Sequence, residues 1–575
     1  MALKYYDKEN VAALDNVANG APALPYINPI YSLGQAAASD TIYGAPTTLP
    51  YDFGAGTPMT IGKAITFDLW DGVRAGTLEW NGGDATRLVN LSGVAGAVLI
   101  ANKKLENTRV GLGSYIAQAG AATRNFRLRS CVLEGSVGLG AVTVASGASG
   151  VVIEDTCTIN MTAGAAVYAG LTASWQCYAD VTLNGAAQGA FFLPAGDADG
   201  AGIIIGGTII LANAVNNYCV RCASTNRDAD ITIHGSFHLS SVPSVYNRAA
   251  FNIQDPRSFT VLSGARIDTR GTTIKSDAEV WVRSNQGITG AIFINGLTVD
   301  RGSYEGYTLK IGDESPFSAS HTKNSYTDVE ILGCLLRDGN YHGTVGVTQT
   351  HVIFIGNEIN YKVANNRLIE GAYGLGVKGD DTSAAASYFY NNYVQGMRLS
   401  NQKTKGMSGV RYINNHVVEG GKGGIGADLT ENTDDGASGT GDAAKVLNNI
   451  MEMDTEKAIN IDTASDLGNN EIDYNVYILT GTSSLATASG VNFTASQIAE
   501  WQERGHDLHS YVVTDRDQIF DSNGDVRTGS VAYQTGKPIS DLTEIADVNG
   551  ANAPDLVGVT LSGDTNYKRR VKTSF

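Results

Sequence analysis

The stretch YFYNNYV (388–394) places two asparagines in the middle of residues that favour a β-strand. The same pair interrupts a strand pattern in YINNHVV (412–418) and in KVLNNIM (445–451). Asparagine tolerates positive φ at little cost, so a pair that recurs at one place in successive strands predicts a corner of the chain. Stacked asparagine amides also hydrogen-bond along the axis of a stacked β structure. The repeated pair therefore predicts a coil that turns at the same corner in every repeat.

Glycine takes the place of the asparagine in earlier repeats, such as IIIGGTII from residue 203, IFINGLTV from 292 and VEILGCLL from 329. The irregular spacing of these repeats favours a solenoid with loops of different length over a propeller with fixed blades. A kink between two apolar runs also differs from the two-residue hairpin turns of a β-sandwich. We therefore predict an all-β solenoid of stacked parallel strands.

This pattern resembles the right-handed parallel β-helix family of pectate lyases, polysaccharide lyases and phage tailspikes, over about residues 90–480. The resemblance implies a right-handed, single-stranded parallel β-helix in residues 91–480. Residues 1–90 are richer in proline and tyrosine and are expected to form an irregular N-terminal attachment segment and cap. Residues 481–575 are expected to form a C-terminal cap, in which Thr494 and Gln497 make a capping box for a short helix that ends near Arg504.

Composition excludes several classes of function for this chain of 575 residues. Its net charge of −17 argues against a nucleic-acid partner, which requires a basic surface. No apolar run is long enough to predict membrane insertion, and the first twenty residues lack the apolar core of a signal peptide. The six cysteines include a single C-x-x-C, Cys219 to Cys222, so we predict small buried side chains, with no metal site and no cofactor.

A column of acidic residues is predicted to follow the corner in successive repeats. Neighbouring members would lie about 5 Å apart, which is the separation of the two carboxyl groups in retaining glycosidases. The alternative is that these acids mark only the places where strands leave into solvated turns. The predicted column, with glutamine at one place, comprises Asp268, Asp300, Asp338, Glu370, Gln395, Glu419 and Glu452.

The densest cluster of charged and aromatic residues lies in 369–421. Aromatic faces and charged groups together are typical of a sugar-binding groove, so we place the candidate site here. Glu370 with one of the other acids would supply the acid and base of a hydrolase. The candidate catalytic residues are Glu370, Lys378, Asp380, Asp381, Arg398 and Glu419, and the candidate substrate-binding residues are Tyr373, Tyr390, Arg411 and Asp338.

GLGVKGDD, followed twenty residues later by GMRLSN, resembles the lysine and arginine on successive turns of the alginate-lyase and chondroitinase B type of β-helix enzyme. The resemblance implies β-elimination, with Lys378 as the base and Arg398 as its partner. Alternatively, both are surface cations paired with Asp380 or Glu370. In the C-terminal region, Asp507 lies between His506 and His509, for which a hydrogen-bonded cap is favoured over a metal site.

Three functions remain open. The first is a tailspike-like virion protein that binds and depolymerises a bacterial polysaccharide, the second is an extracellular polysaccharide lyase, and the third is a non-enzymatic receptor-binding or structural spike. We favour the first. The resemblance implies a parallel homotrimer attached to phage tail or baseplate proteins, located in the virion and acting outside the host cell.

Overall fold

The computed structural model divides into two compact units, Met1–Ser258 with Asp268–Thr273, and Phe259–Ile267 with Ile274–Phe575. It describes residues 2–533 and 536, with gaps at 11, 14–19, 23–24, 54–58, 83–86, 92–93, 95, 108–114, 171, 185–188, 194–200, 213–217, 223–228, 241–249, 272–277, 284–289, 302–305, 313–325, 339–350, 357–359, 379–386, 406–408, 421–422, 431–443, 462–469 and 523.

In each unit, a typical turn contributes three short strands that pair in parallel with their equivalents in neighbouring turns. We call the three resulting surfaces the first, second and third faces, in chain order from the strand that precedes the corner. Alternate side chains of each strand point inwards, where residues of successive turns stack on one another. The fold is thus the all-β parallel β-helix predicted from the repeats.

In the first unit, the first face comprises Leu3–Tyr6, Thr41–Gly44, Ile65–Leu69, Val98–Ala101, Phe126–Arg129, Val151–Ile153, Trp175–Cys177, Gly202–Ile205 and Ala229–Ile233. The second face comprises Tyr51–Asp52, Glu79–Asn81, Lys104–Asn107, Asp180–Asn184, Thr208–Ala212 and Ser236–Ser240. The third comprises Met59–Ile61, Arg87–Leu91, Tyr115–Ala119, Phe191–Leu193, Val220–Cys222 and Phe251–Gln254. Val132–Val144 and Thr158–Ala169 run through both of these faces.

In the second unit, the first face comprises Gly290–Asn295, Tyr326–Leu332, Tyr361–Ala364, Tyr388–Tyr390, Arg411–Ile413, Lys445–Leu447 and Glu471–Asp473. The second face comprises Thr298–Arg301, Leu335–Asp338, His416–Val418, Ile450–Met453, Val476–Leu479 and Tyr511–Val513. The third comprises Ala278–Arg283, Tyr307–Gly312, His351–Gly356, Ile425–Thr430, Lys457–Ile461 and Ser484–Ala488. Arg367–Lys378 and Tyr393–Lys405 run through both, and Pro256–Val261 and Arg266–Gly271 are divided between the units.

The asparagine pairs form the corner between the first and second faces of the second unit. The backbone of the first asparagine in each pair lies in the left-handed region, with φ of 58° at Asn365 and 52° at Asn391. The second is buried and joins a ladder, because Asn366 Nδ2 and its backbone N–H both donate to Asn392 Oδ1, at 2.9 and 3.0 Å. Asn392 donates in the same way to Asn415 Oδ1. The predicted corner and its amide ladder are therefore confirmed.

The N-terminal region is more regular than the sequence predicts. Leu3–Tyr6 pairs in parallel with Thr41–Gly44, which pairs with Ile65–Leu69. Stacked parallel strands therefore begin well before residue 91, with a short helix at Pro29–Gln35 between the first two of these strands. The sequence LKYY of the first strand has neither an apolar alternation nor a corner glycine, which is why the repeat pattern misses it.

The C-terminal cap contains the predicted short helix. The capping box of Thr494 and Gln497 is present, and a 3₁₀ turn at Ala495–Gln497 leads into an α-helix at Ile498–Glu503. Val491–Phe493 pairs antiparallel with the preceding strand, and a second 3₁₀ turn lies at Arg516–Gln518. An antiparallel bridge joins Phe520 and Val526 after this turn. None of the described helices is long and apolar enough to cross a membrane.

Candidate functional site

The predicted acidic column is two columns in the structure. Ile369 pairs with Gln395, which pairs with Val418, which in turn pairs with Glu452. Glu370 and Glu419 each lie one residue further along, level with Gly396. A shift of one residue moves a side chain to the opposite face of a strand, so placing Gln395 and Glu452 with Glu370 was wrong.

Several of the remaining acids form ion pairs with arginine. Asp300 is nearly buried between Arg266 and Arg337, at 2.8 and 2.9 Å, and Asp268 pairs with Arg270. These contacts give the two acids a structural role, whereas the alternative interpretation of the column expected acids in solvated turns.

Lys378 and Arg398 do not meet as the lyase resemblance implies. Lys378 pairs with Lys405 at the end of the third-face strand, 27 residues later rather than twenty (405 − 378 = 27). Arg398 follows Met397, which pairs with Gly371 at the bend between the second and third faces. Seven residues separate Gly371 from Lys378 along one strand, so the two cations lie at opposite ends of the third face.

Glu370 occupies this bend in a left-handed conformation, with φ of 58°. This backbone conformation is strained for a residue other than glycine, and Gly396 adopts it in the next turn with φ of 72°. The Glu370 side chain is half-buried and forms no hydrogen bond or ion pair with the described part of the chain. The exposed Arg398 follows one turn later at the same bend, and the half-buried Tyr373 begins the strand beyond it.

The carboxylate of Glu419 is occupied by the loop of the next turn. Its oxygens accept hydrogen bonds from the backbone N–H groups of Asp454, Thr455 and Glu456, and from the Thr455 hydroxyl. Glu419 is fully buried in this arrangement. A carboxylate held by several donors fixes a loop well, and it has little freedom to move towards a substrate.

The other predicted residues are dispersed. Tyr390 lies on the first face in an apolar cluster with Ile413 and Leu447, so its buried ring offers no face to a sugar. Arg411 lies on the same face, level with Tyr388. Asp338 is the last residue of its strand, which belongs to the β-helix turn preceding that of Glu370. Asp380 and Asp381 lie outside the described residues.

A row of aromatic rings, not predicted from the sequence, leads along the third face to Tyr373. The His351 ring stacks between Tyr307 and Tyr373, with centroids 5.7 and 4.5 Å away. Gly376 makes room for it, since a Cβ there would lie 2.1 Å from His351 Cδ2. The tilted rings of Phe354 and His351 are 5.0 Å apart. We call Tyr307, His351, Phe354 and Tyr373 the aromatic row.

Lysines give the aromatic row a positive potential. Lys310 Nζ lies 4.9 Å from the Tyr307 ring centroid, and Lys403 Nζ lies 5.1 Å from that of Tyr373. Burial, together with the charges of Lys403, Lys378 and Lys310, lowers the pKa of His351 to about 3. His351 is therefore neutral at physiological pH. Lys403 also forms an ion pair with Asp428 at 2.8 Å, so part of this positive charge is compensated within the protein. The remaining ammonium charge favours an anionic ligand.

Asp507 holds the predicted hydrogen-bonded cap together. It accepts hydrogen bonds from Trp501 Nε1 at 2.8 Å, from the Tyr477 hydroxyl at 2.8 Å and from Ser510 Oγ at 2.5 Å. Asn475, the last amide of the ladder, donates to it at 3.1 Å. His509 instead contacts Asp473. Among the described residues, no group of three or more histidine, cysteine or acidic side chains is placed to hold a metal ion.

The first unit carries an open groove of about 730 Å³ on its first face, lined among others by Arg127, Glu154, Tyr178, Asp180 and His234. The residues of this groove are spread over about a hundred positions, so no local sequence pattern predicts it. Selecting the residue that precedes each corner in the sequence would have identified many of the residues that line the groove. The six cysteines are buried, as predicted, and the structure shows them unbridged.

Comparisons with protein-family models, with curated proteins and with solved structures found no match to this chain.

Proposed function

We propose that this chain is a tailspike-like virion protein that binds and depolymerises a bacterial surface polysaccharide, with Glu370 as its proton-transferring carboxylate. The parallel β-helix is compatible with this function. The observation that carries the proposal is Glu370 itself, a carboxylate held in a strained backbone conformation without a structural partner in the described part of the chain. Such outliers are frequent at functional sites.

The neighbourhood of Glu370 suits a glycan. The half-exposed Tyr373 ring stacks on His351 and lies near Lys403 Nζ, so it offers its edge to the apolar side of a sugar. Arg398 offers a guanidinium for hydroxyl or carboxylate groups. A half-buried carboxyl beside the bond to be cleaved can protonate the leaving oxygen or activate water.

Elimination is the second candidate reaction, favoured by the lysines of the aromatic row. Lys310, Lys378 and Lys403 act together on His351, and such a cluster would neutralise the carboxylate of a uronic acid. β-Elimination requires this neutralisation before the neighbouring proton is removed.

The acidic residues held in structural contacts favour the third function, a receptor-binding spike without enzymatic activity.

The test is to incubate host surface polysaccharide with the full chain and with the Glu370→Gln variant. We expect Glu370→Gln to lower the rate of depolymerisation by about a hundredfold or more, because general acid–base catalysis contributes on this order. New reducing ends without ultraviolet absorbance from an unsaturated uronate indicate hydrolysis, whereas that absorbance indicates elimination.

Glu471→Gln is the matched control, because Glu471 is a partly exposed glutamate on the first face of the same unit, paired with Lys445. Full activity of Glu370→Gln would refute the assignment of Glu370. A wild-type chain that binds host cells and cleaves no host glycan would refute depolymerisation and support a receptor-binding spike.

We also propose that the protein is carried on the virion as a homotrimer attached to phage tail or baseplate proteins, and that it acts outside the host cell. This proposal rests on the resemblance to tailspikes.

A further inference from the structure

One column of residues, with one member from each turn, runs along the groove of the first unit. The parallel strand register aligns one residue from each of five successive turns. In order along the axis, these residues are Arg129, Glu154, Tyr178, Gly206 and His234. Four steps of about 4.8 Å give the column a length of about 19 Å along the axis. A linear ligand can therefore contact several turns at once.

Two glycines shape the floor of the groove. A Cβ at Gly206 would lie 2.4 Å from His234 Cε1, so the His234 ring occupies the space that a side chain would need. Gly207 has φ of 79°, and a Cβ there would lie 2.2 Å from the carbonyl oxygen of Ala179. The rings of Tyr178 and His234 consequently lie 5.5 Å apart over a floor without side chains. Both rings are only half-buried.

The charges of the groove differ from those of the aromatic row. Glu154 binds Arg129 at 2.8 Å and Arg127 at 3.6 Å. The hydrogen bond from Arg129 outweighs burial and holds the pKa of Glu154 below its ordinary value. Asp155 and Asp180 are exposed, and neither forms an ion pair within the described part of the chain. The two arginines and three acids of the lining give a formal charge of −1 (2 − 3 = −1).

We infer that this groove is a second carbohydrate site, which holds a linear neutral glycan. Tyr178 and His234 would stack on the apolar faces of successive sugars, while Asp155 and Asp180 accept hydrogen bonds from their hydroxyls. Gln176 Oε1 accepts a hydrogen bond from the Tyr178 hydroxyl at 3.1 Å, which orients that ring. The net negative lining disfavours a polyuronate, in contrast to the lysines near Tyr373. This inference requires no cleavage and stands apart from the proposed role of Glu370.

The test measures binding to the full chain by calorimetry, with three probes of equal length: a linear glucan oligosaccharide, an N-acetylglucosamine oligosaccharide and an oligogalacturonate. All measurements are made in the Glu370→Gln background, so that a hydrolysable probe stays intact. We expect at least one neutral probe to bind. Tyr178→Ala should weaken that binding by about tenfold, because an aromatic contact is removed.

Tyr168→Ala is the matched control, because Tyr168 is a half-buried tyrosine of the same unit on the third face. It should leave binding unchanged. Tyr178→Phe keeps the ring and should retain most of the affinity, which separates stacking from a folding defect. Asp180→Asn, which can still accept the backbone N–H of Thr208, should reduce discrimination against the oligogalacturonate.

Three results would overturn the inference. The first is that neither neutral probe binds, and the second is that Tyr178→Ala binds as well as Tyr168→Ala does. The third is a loss of self-association in Tyr178→Ala with no glycan bound by the parent chain, which would identify the groove as an interface between copies. Activity lost in Glu370→Gln with binding retained would leave both proposals standing. Binding in this groove by a chain that cleaves nothing would refute only the proposed cleavage.

Discussion

At the scale of single residues, the two asparagines of each pair have separate roles. Asn391 supplies the left-handed backbone of the corner and donates one partly buried hydrogen bond to Asn365 Oδ1 at 2.7 Å. Asn392 supplies the fully buried hydrogen bonds of the ladder. The Asn392 carboxamide accepts two bonds from the previous turn and donates to the carbonyl oxygen of Val363 at 2.9 Å. A polar side chain in a strand is thus explained by the groups it satisfies in neighbouring turns.

This division of roles predicts different costs for the two positions. Asn392→Ala leaves the backbone N–H of Asn366 buried without its acceptor, which costs about 2 kcal/mol. Hydrogen exchange in peptides covering 361–395 should accelerate by about thirtyfold as a result. Asn391→Gly is the control, since glycine keeps φ near 52° and loses only the partly buried bond to Asn365 Oδ1, so it should accelerate exchange much less. Equal acceleration in both variants would contradict the ladder as a source of stability.

Residue types predicted the corners but could not predict which acids are free. Glu370 and Glu419 occupy level positions in neighbouring turns, yet one lacks a partner in the described chain and the other binds backbone groups of 454–456. The donors that occupy Glu419 come from a loop more than thirty residues away. A sequence pattern contains no information about which loop folds over which acid.

At the scale of elements, the sequence predicted features that depend on a few neighbouring residues. It did not predict which residues of successive turns pair with each other. The capping box of Thr494 and Gln497 depends on four consecutive residues, so the sequence was sufficient to place that helix. The pairing of Lys378 depends on how many residues a whole turn contains and on the irregularity between Gly371 and Tyr373. Counting twenty residues put Arg398 beside Lys378, whereas the turn of 27 residues puts Lys405 there (405 − 378 = 27).

The C-terminal cap should be more stable in mild acid, because of Asp507. Burial raises the pKa of Asp507 to about 6, even though Ser510 and Trp501 donate hydrogen bonds to it. Unfolded aspartate ionises near pH 4, so the folded cap binds a proton more tightly than the unfolded chain does. The corresponding stability, about 3 kcal/mol, is fully present below about pH 4 and is lost as the pH rises through about 6.

Hydrogen exchange in peptides covering 498–513 measures this effect, after correction for the intrinsic pH dependence of exchange. The cap should open with a higher free energy at pH 5 than at pH 8. Asp507→Asn cannot ionise and should show the same opening free energy at both values. A wild-type cap that is better protected at pH 8 would contradict the assignment.

At the scale of the whole molecule, composition was sufficient for the class of fold and insufficient for the site. Abundant glycine and short apolar runs predicted stacked strands, and the parallel pairing in both units bears this out. The groove around Tyr178 and the aromatic row around His351 each gather residues from several turns. Such sites become visible only when the register of every turn is known.

Net charge bears on the proposed homotrimer. Each chain carries −17, so three copies repel one another, and salt should weaken this repulsion by screening it. Size-exclusion chromatography with light scattering should therefore give three times the mass of one chain at physiological salt, and partial dissociation at low salt. The Tyr178→Ala and Glu370→Gln variants should assemble as the wild type does, because neither residue is proposed to contact another copy. The mass of a single chain at every protein and salt concentration would rule out the trimer.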